Sequence, residues 1–182
     1  MAQGMSSLNR AVCGTNSDTT GTRIYQWDAE NRLVSVSEGS TELASFQYEA
    51  NGIRTRKVVG TVTTDYARGG STVVEERSSA SGVTRYFHGP GIDNLLASQG
   101  PTGVSYPTQD HLGSVREITD TVGNVVTRCG YDPWGNSTAP SGYAYAGREW
   151  DPEAGLYYYR ARYYDPVLVL CLSRKMTAPK LC

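Results

Sequence analysis

Four cysteines (Cys13, Cys129, Cys171 and Cys182) and two histidines (His88 and His111) are the residues whose chemistry is read most directly from type and spacing. No two cysteines form a C-x-x-C pair, and the histidines stand 23 residues apart. No metal-ligand spacing results, and neither a metal nor another cofactor is expected. Thiols so few and so far apart do not outline a disulfide framework and are read as incidental. Ser114 follows Gly113 but lacks the G-x-S-x-G elbow, so a Ser–His triad is not expected either. Gly39, Gly69-Gly70 and Gly100 lie between strand-like runs and not before a helix, which excludes a phosphate-cradling loop.

The aromatic and cationic residues are lopsided. There are 13 Tyr against 2 Phe, and 14 Arg against 3 Lys. Tyr joins an apolar ring to a polar tip, so these residues with Trp27, Trp134 and Trp150 could stack on glycans. Their regular placement favours cross-strand packing. Arg32, Arg54, Arg56, Arg68, Arg77, Arg85, Arg116 and Arg128 are dispersed among balancing acids, with a net charge of -1. That pattern fits ion pairs and Arg–Tyr stacking, with no basic groove for nucleic acid. No apolar run reaches eighteen residues, so no membrane-spanning helix is expected.

The elements that must position these side chains are strands. Tyr25, Tyr48, Tyr66, Tyr86, Tyr106 and Tyr131 recur at about twenty residues, the length of one hairpin with its turns. Strand-like runs at 24–27 and 32–37 flank Asp-Ala-Glu-Asn; runs at 46–48 and 53–59 flank Glu-Ala-Asn-Gly. Further pairs follow at 62–66 with 72–76, 83–87 with 95–97, and 104–109 with 115–119, before a last run at 125–131. Gly, Thr, Val and Tyr are abundant and no 3.6-residue apolar period is sustained. The expected fold is all-β: consecutive antiparallel hairpins forming a curled ribbon. Residues 1–22 show no period and are expected to be an irregular lead-in.

Two units, YQWDAENRL at 25–33 and FQYEANGIR at 46–54, resemble the YD repeat of RHS (rearrangement hotspot) and teneurin-type proteins. The run QDHLGSVREITDTVGNVVTRCGYDPWGN at 109–136, followed by AGREWDPEAGLYYYRARYYDP at 146–166, is similar to the RHS repeat-associated core domain. The resemblance implies YD-type repeats over 23–108, a partial core domain over 109–166 and a divergent tail over 167–182. It implies a segment of a β-shell whose partners are the rest of that shell and an enclosed C-terminal toxin. It also implies export or secretion-system delivery in relatives, although the sequence leaves the compartment of this chain unknown.

In such relatives the core resembles an aspartyl autoprotease that frees the toxin. By that resemblance Arg148, Asp151 and Asp165 are the candidate catalytic residues. Two carboxylates in one partly buried site can hold their pKa values apart, one activating water and one donating a proton. The alternative is structural: Asp-Pro pairs start turns, and Arg148 is an ion-pair partner. After Asp165-Pro166 the family pattern stops, and VLVLCLSRKMTAPKLC follows. The break is read as a frameshift or recombined junction that removes the scissile segment, so turnover is not expected of this chain as it stands.

Overall fold

The computed structural model describes residues 11–18, 21–137 and 142–172, with side chains from residue 23 onward. Twelve strands in unbroken chain order form one antiparallel sheet. They are β1 (Ala11–Asp18), β2 (Gly21–Trp27), β3 (Leu33–Glu38), β4 (Thr41–Tyr48), β5 (Arg54–Val59) and β6 (Val62–Gly69), then β7 (Thr72–Ser78), β8 (Gly82–His88), β9 (Leu95–Gly100), β10 (Gly103–Gln109), β11 (Val115–Thr119) and β12 (Val125–Arg128). A second, four-stranded sheet is built from β13 (Glu149–Asp151), β14 (Leu156–Tyr158), β15 (Tyr163–Asp165) and β16 (Leu170–Leu172). A 3-10 turn at Tyr145–Gly147 precedes it. No helix among the described residues is long and apolar enough to cross a membrane.

Several turns of the chain share one design. In residues 28–32, 110–114, 120–124 and 132–136 an Asp opens the turn, and its backbone N–H donates to the carbonyl four residues on. The N–H of the fourth residue donates back to the Asp carbonyl. The Asp side chain then accepts the N–H groups of the third and fifth residues. The fourth residue has positive φ, which explains why it is Asn31, Gly113, Gly123 and Gly135. Residues 49–53 follow the same backbone pattern, with Asn51 capping Ile53 in place of the opening residue. Beside several of these turns the register slips by one residue, as at Gln26/Trp27, Gln47/Tyr48 and Phe87/His88. Such bulges bend a strand and add twist, so their recurrence curls the ribbon.

The small sheet is buried on both faces, as period-two alternation requires. One face presents Leu156, Tyr158, Tyr163 and Leu172 to Tyr25, Trp27, Leu33, Val36 and Phe46 of β2, β3 and β4. The other presents Tyr157, Tyr164 and Cys171 to Ala144, Tyr131 and Tyr145. The excess of Tyr over Phe follows from this packing. Tyr48 donates its hydroxyl to the Leu33 carbonyl, Tyr131 to Val115, Tyr157 to Gly135 and Tyr164 to Trp134. Each ring fills core while its tip satisfies a backbone acceptor near a turn.

Two expectations are corrected. Residues 11–18 are not irregular: they form β1, paired with β2 so that Thr15 lies opposite Ile24. An edge strand is held by its backbone ladder and needs no alternating side-chain pattern, which is why its sequence hides it. Within the stretch whose sequence diverges from the family pattern, Leu170–Leu172 complete the small sheet opposite Tyr163, Tyr164 and Asp165. Cys171 is disulfide-bonded, so its thiol is not incidental; its partner lies outside the residues whose side chains are described.

Candidate functional site

The densest polar chemistry lies where β5 meets β13. Arg54 is fully buried. Its Nη1 donates to Asp151 Oδ2 at 2.5 Å and its Nη2 to Glu149 Oε2 at 2.8 Å. Its backbone N–H donates to the Tyr158 hydroxyl at 2.9 Å. The guanidinium also lies 4.3 Å from the Tyr158 ring centre and 4.9 Å from that of Tyr66. Lys57 bridges Asp151 Oδ1 at 2.9 Å and Glu153 Oε1 at 2.8 Å, and Arg68 reaches Glu149 Oε1 at 3.2 Å. Period-two geometry explains the convergence: Glu149 and Asp151 project from one face of β13.

Electrostatics favours the charged forms here. Burial works against the Arg54 cation, yet Asp151 foremost, with Tyr163, Tyr66 and Glu149, outweighs it and holds the guanidinium well above its ordinary pKa. Lys57 is likewise raised: burial opposes its charge, and Asp151, Tyr66 and Glu153 overcome that. Burial pushes the Tyr66 hydroxyl up as well. Such a network ties ribbon to small sheet, and removing one member would strand the others without water.

The three residues expected to share a catalytic site occupy separate environments. Arg148 donates to Asp93 Oδ2 at 2.7 Å and lies over the Tyr159 ring. Arg160 bonds the other Asp93 oxygen, so Asp93 clamps the β8–β9 loop onto the core. Asp151 sits in the Arg54–Lys57 network, with a cation on each oxygen. Asp165 caps its own turn, its Oδ1 accepting from Val167 and Leu168 N–H groups at 2.9 and 3.0 Å. Asp151 lies opposite Leu156, and Asp165 follows Tyr164, which lies opposite Tyr157. The two carboxylates therefore share a row across the small sheet with β14 between them, about 9–10 Å apart by strand spacing.

Arg54, Lys57 and Glu149 were not singled out as site residues from the sequence. Glu149 had a signal, because it stands two residues before Asp151 in a strand-like run. Arg54 had none, lying 97 residues from its main partner. All eight dispersed arginines do pair with carboxylates, including Arg32 with Asp28, Arg56 with Asp65 and Arg85 with Glu75. Of the tryptophans, Trp27 is core, whereas Trp134 is half exposed and lines an open groove of about 610 Å³ with Tyr145, Tyr159 and Arg162.

Comparison with known proteins places this geometry in context. No family model matches the chain. The chain is 33% identical over 164 residues to the tRNA(Glu)-specific nuclease WapA of Bacillus subtilis subsp. natto, and 32% identical over 164 residues to the tRNA nuclease WapA of Bacillus subtilis strain 168. Each match takes in 83% of this chain and 7% of the relative's length. It is also 30% identical over 151 residues to salivary gland surface protein 1 of Aedes aegypti, matching 78% of the chain and 4% of that protein. Among solved structures, TcdB2-TccC3 superposes with a TM-score of 0.54 at 18% identity, over 85% of this chain and 9% of that one. The Tc holotoxin pore of Photorhabdus luminescens gives a TM-score of 0.54 at 19% identity, with the same shares. The all-β ribbon with its inner sheet is thus the fold of part of TcdB2-TccC3, and the likeness to WapA and TcdB2-TccC3 fits the RHS-type resemblance of the repeat and core motifs.

Proposed function

We propose that this chain is a segment of an RHS-type toxin shell, in which the hairpin ribbon forms wall and the small sheet fixes the wall's end over an enclosed C-terminal toxin. The observation that carries this reading is the Arg54 network. It anchors an inner sheet to a ribbon whose first and last strands, among the described residues, each pair with one neighbour. The likeness to a short span of nuclease relatives supports a role as container and not as nuclease. The test is a graft: the matched 164-residue span of the Bacillus subtilis strain 168 WapA is replaced by this chain. The chimera and its parent should lose nuclease activity to protease at the same rate. Faster loss in the chimera, with the graft itself folded, would refute the shell role.

A second reading keeps the core as a self-cleaving aspartyl protease, favoured by the shared row of Asp151 and Asp165 in the small sheet. In it Asp151 and Asp165 form the acid–base pair, roles taken from the family resemblance, and the Arg54, Lys57 and backbone N–H contacts that hold them in this fold would have to be exchanged for water and substrate. Arg148, clamped by Asp93, orients the substrate backbone from the side. Mass spectrometry of the purified chain decides it, since only intact mass over days at pH 5–8 would rule against it.

A further inference from the structure

Between β5–β8 and β13 the two layers leave a cavity of about 180 Å³. That is room for about six waters at roughly 30 Å³ each. Three cations at this junction, Arg54, Lys57 and Arg68, are matched by three carboxylates, Asp151, Glu149 and Glu153. Glu76, on β7, is a fourth carboxylate in the cavity wall. Its Oε2 accepts from the Tyr86 hydroxyl at 2.9 Å, and among the described residues no cation forms an ion pair with it. Tyr66, Tyr86 and Tyr143 line the same space, whereas the Trp150 ring packs against Tyr157 on the other face of β13. Tyr86 and Tyr143 are set edge to face at 5.2 Å.

We propose that this cavity binds an alkylammonium group, charge-paired with Glu76 and faced by the Tyr86 and Tyr143 rings. A cation supplies the one charge the network lacks, and ring faces attract it further. An anion would meet three carboxylates, while both nearby cations are already engaged. The volume admits an ammonium on a short stem and excludes a folded partner. Burial, chiefly, raises the Glu76 carboxyl above its ordinary pKa; the Tyr86 bond, Lys57 and Arg54 pull it down and Glu149 pushes it up. An arriving cation would lower it, so binding should tighten as pH rises. The group could come from a lysine side chain of a neighbouring polypeptide or from a free amine. The inference stands apart from the shell role.

The test titrates the full chain with n-butylammonium and with a short lysine-containing peptide, by calorimetry and by Trp fluorescence, with n-butanol as the neutral control. Saturable binding of an ammonium probe, no binding of butanol, and about tenfold or greater weakening in Glu76→Gln that still melts cooperatively are expected. Binding of the peptide alone names the side chain as the source, and of the amine alone the free amine; both support the site. Equal binding of butanol, unchanged affinity in Glu76→Gln, or no saturation by either probe overturns it. If Glu76→Gln does not fold, the wild type decides: affinity that fails to rise between about pH 4 and about pH 7 overturns it as well.

Discussion

The same Asp-opened turn joins β2 to β3 early in the ribbon and β10 to β11 and β11 to β12 late in it, yet the strands end in different surroundings. In β2, β3 and β4 the inward residues Tyr25, Trp27, Leu33, Val36 and Phe46 are buried under the small sheet. In β10 to β12, Tyr106 and the successive Val125 and Val126, which face opposite sides of the sheet, are 40–58% exposed. Even the repeat-marking tyrosines divide this way, Tyr25 being core and Tyr106 surface. Turn chemistry makes strands wherever it occurs; burial is conferred by what later segments lay against them.

The largest break in this contrast should come from Arg54→Met. It strands Asp151 and Glu149 in the covered region, which should cost about 3–5 kcal/mol. Urea denaturation measures it, and a loss below about 1 kcal/mol would mean that the network is ornament. Next is Gly135→Ala. Gly135 has φ +94, and a Cβ there would stand 2.6 Å from the Tyr145 ring. The left-handed conformation alone should cost about 1–2 kcal/mol, with the clash in addition. The same substitution at Gly123, with φ +89 and open space around it, should show only the conformational part. Equal losses at the two would deny the packing difference. Tyr158→Phe should cost about 1–2 kcal/mol by leaving the buried Arg54 N–H without its acceptor.

A pH experiment sharpens the boundary between the regions. Glu76 has its carboxyl raised, chiefly by burial. A raised carboxyl favours the fold while protonated, so this contribution is present below the usual carboxylate range and lost as pH rises through the raised value. Glu76→Gln should therefore stabilise the chain at neutral pH and leave it unchanged near pH 3, as thermal melts would register. Asp120 and Asp132, in exposed turns, behave oppositely: bonds from Asn124 and Asn136 lower them, so their support is lost only as pH falls through the depressed values. The smallest effect should be Phe87→Ser, on the open face at 48% exposure and within about 0.5 kcal/mol of wild type. A larger loss would mean that this face is covered in solution.

Much of the ribbon was legible because its signals are local. An Asp three residues before a Gly or Asn specifies a turn through hydrogen bonds spanning four residues, as at Asp110–Gly113 and Asp132–Gly135. The site was legible only in part. Asp151 stood out through resemblance, and Glu149 could have been added by strand parity. Arg54 could not, since nothing near it in the chain distinguishes it from Arg56, which pairs on the surface with Asp65.

What the amino-acid order determined by itself is therefore the hairpins, their sequence of pairing and the need for Tyr tips near turns. These depend on positive-φ residues, side-chain caps and period-two alternation. What only the tertiary structure decided is which arginine became the buried anchor, that Arg148 serves Asp93, and that Asp151 and Asp165 lie in one row with a strand between them. Those outcomes depend on laying the small sheet across the ribbon, where burial turns one ion pair among many into the one that cannot be solvated.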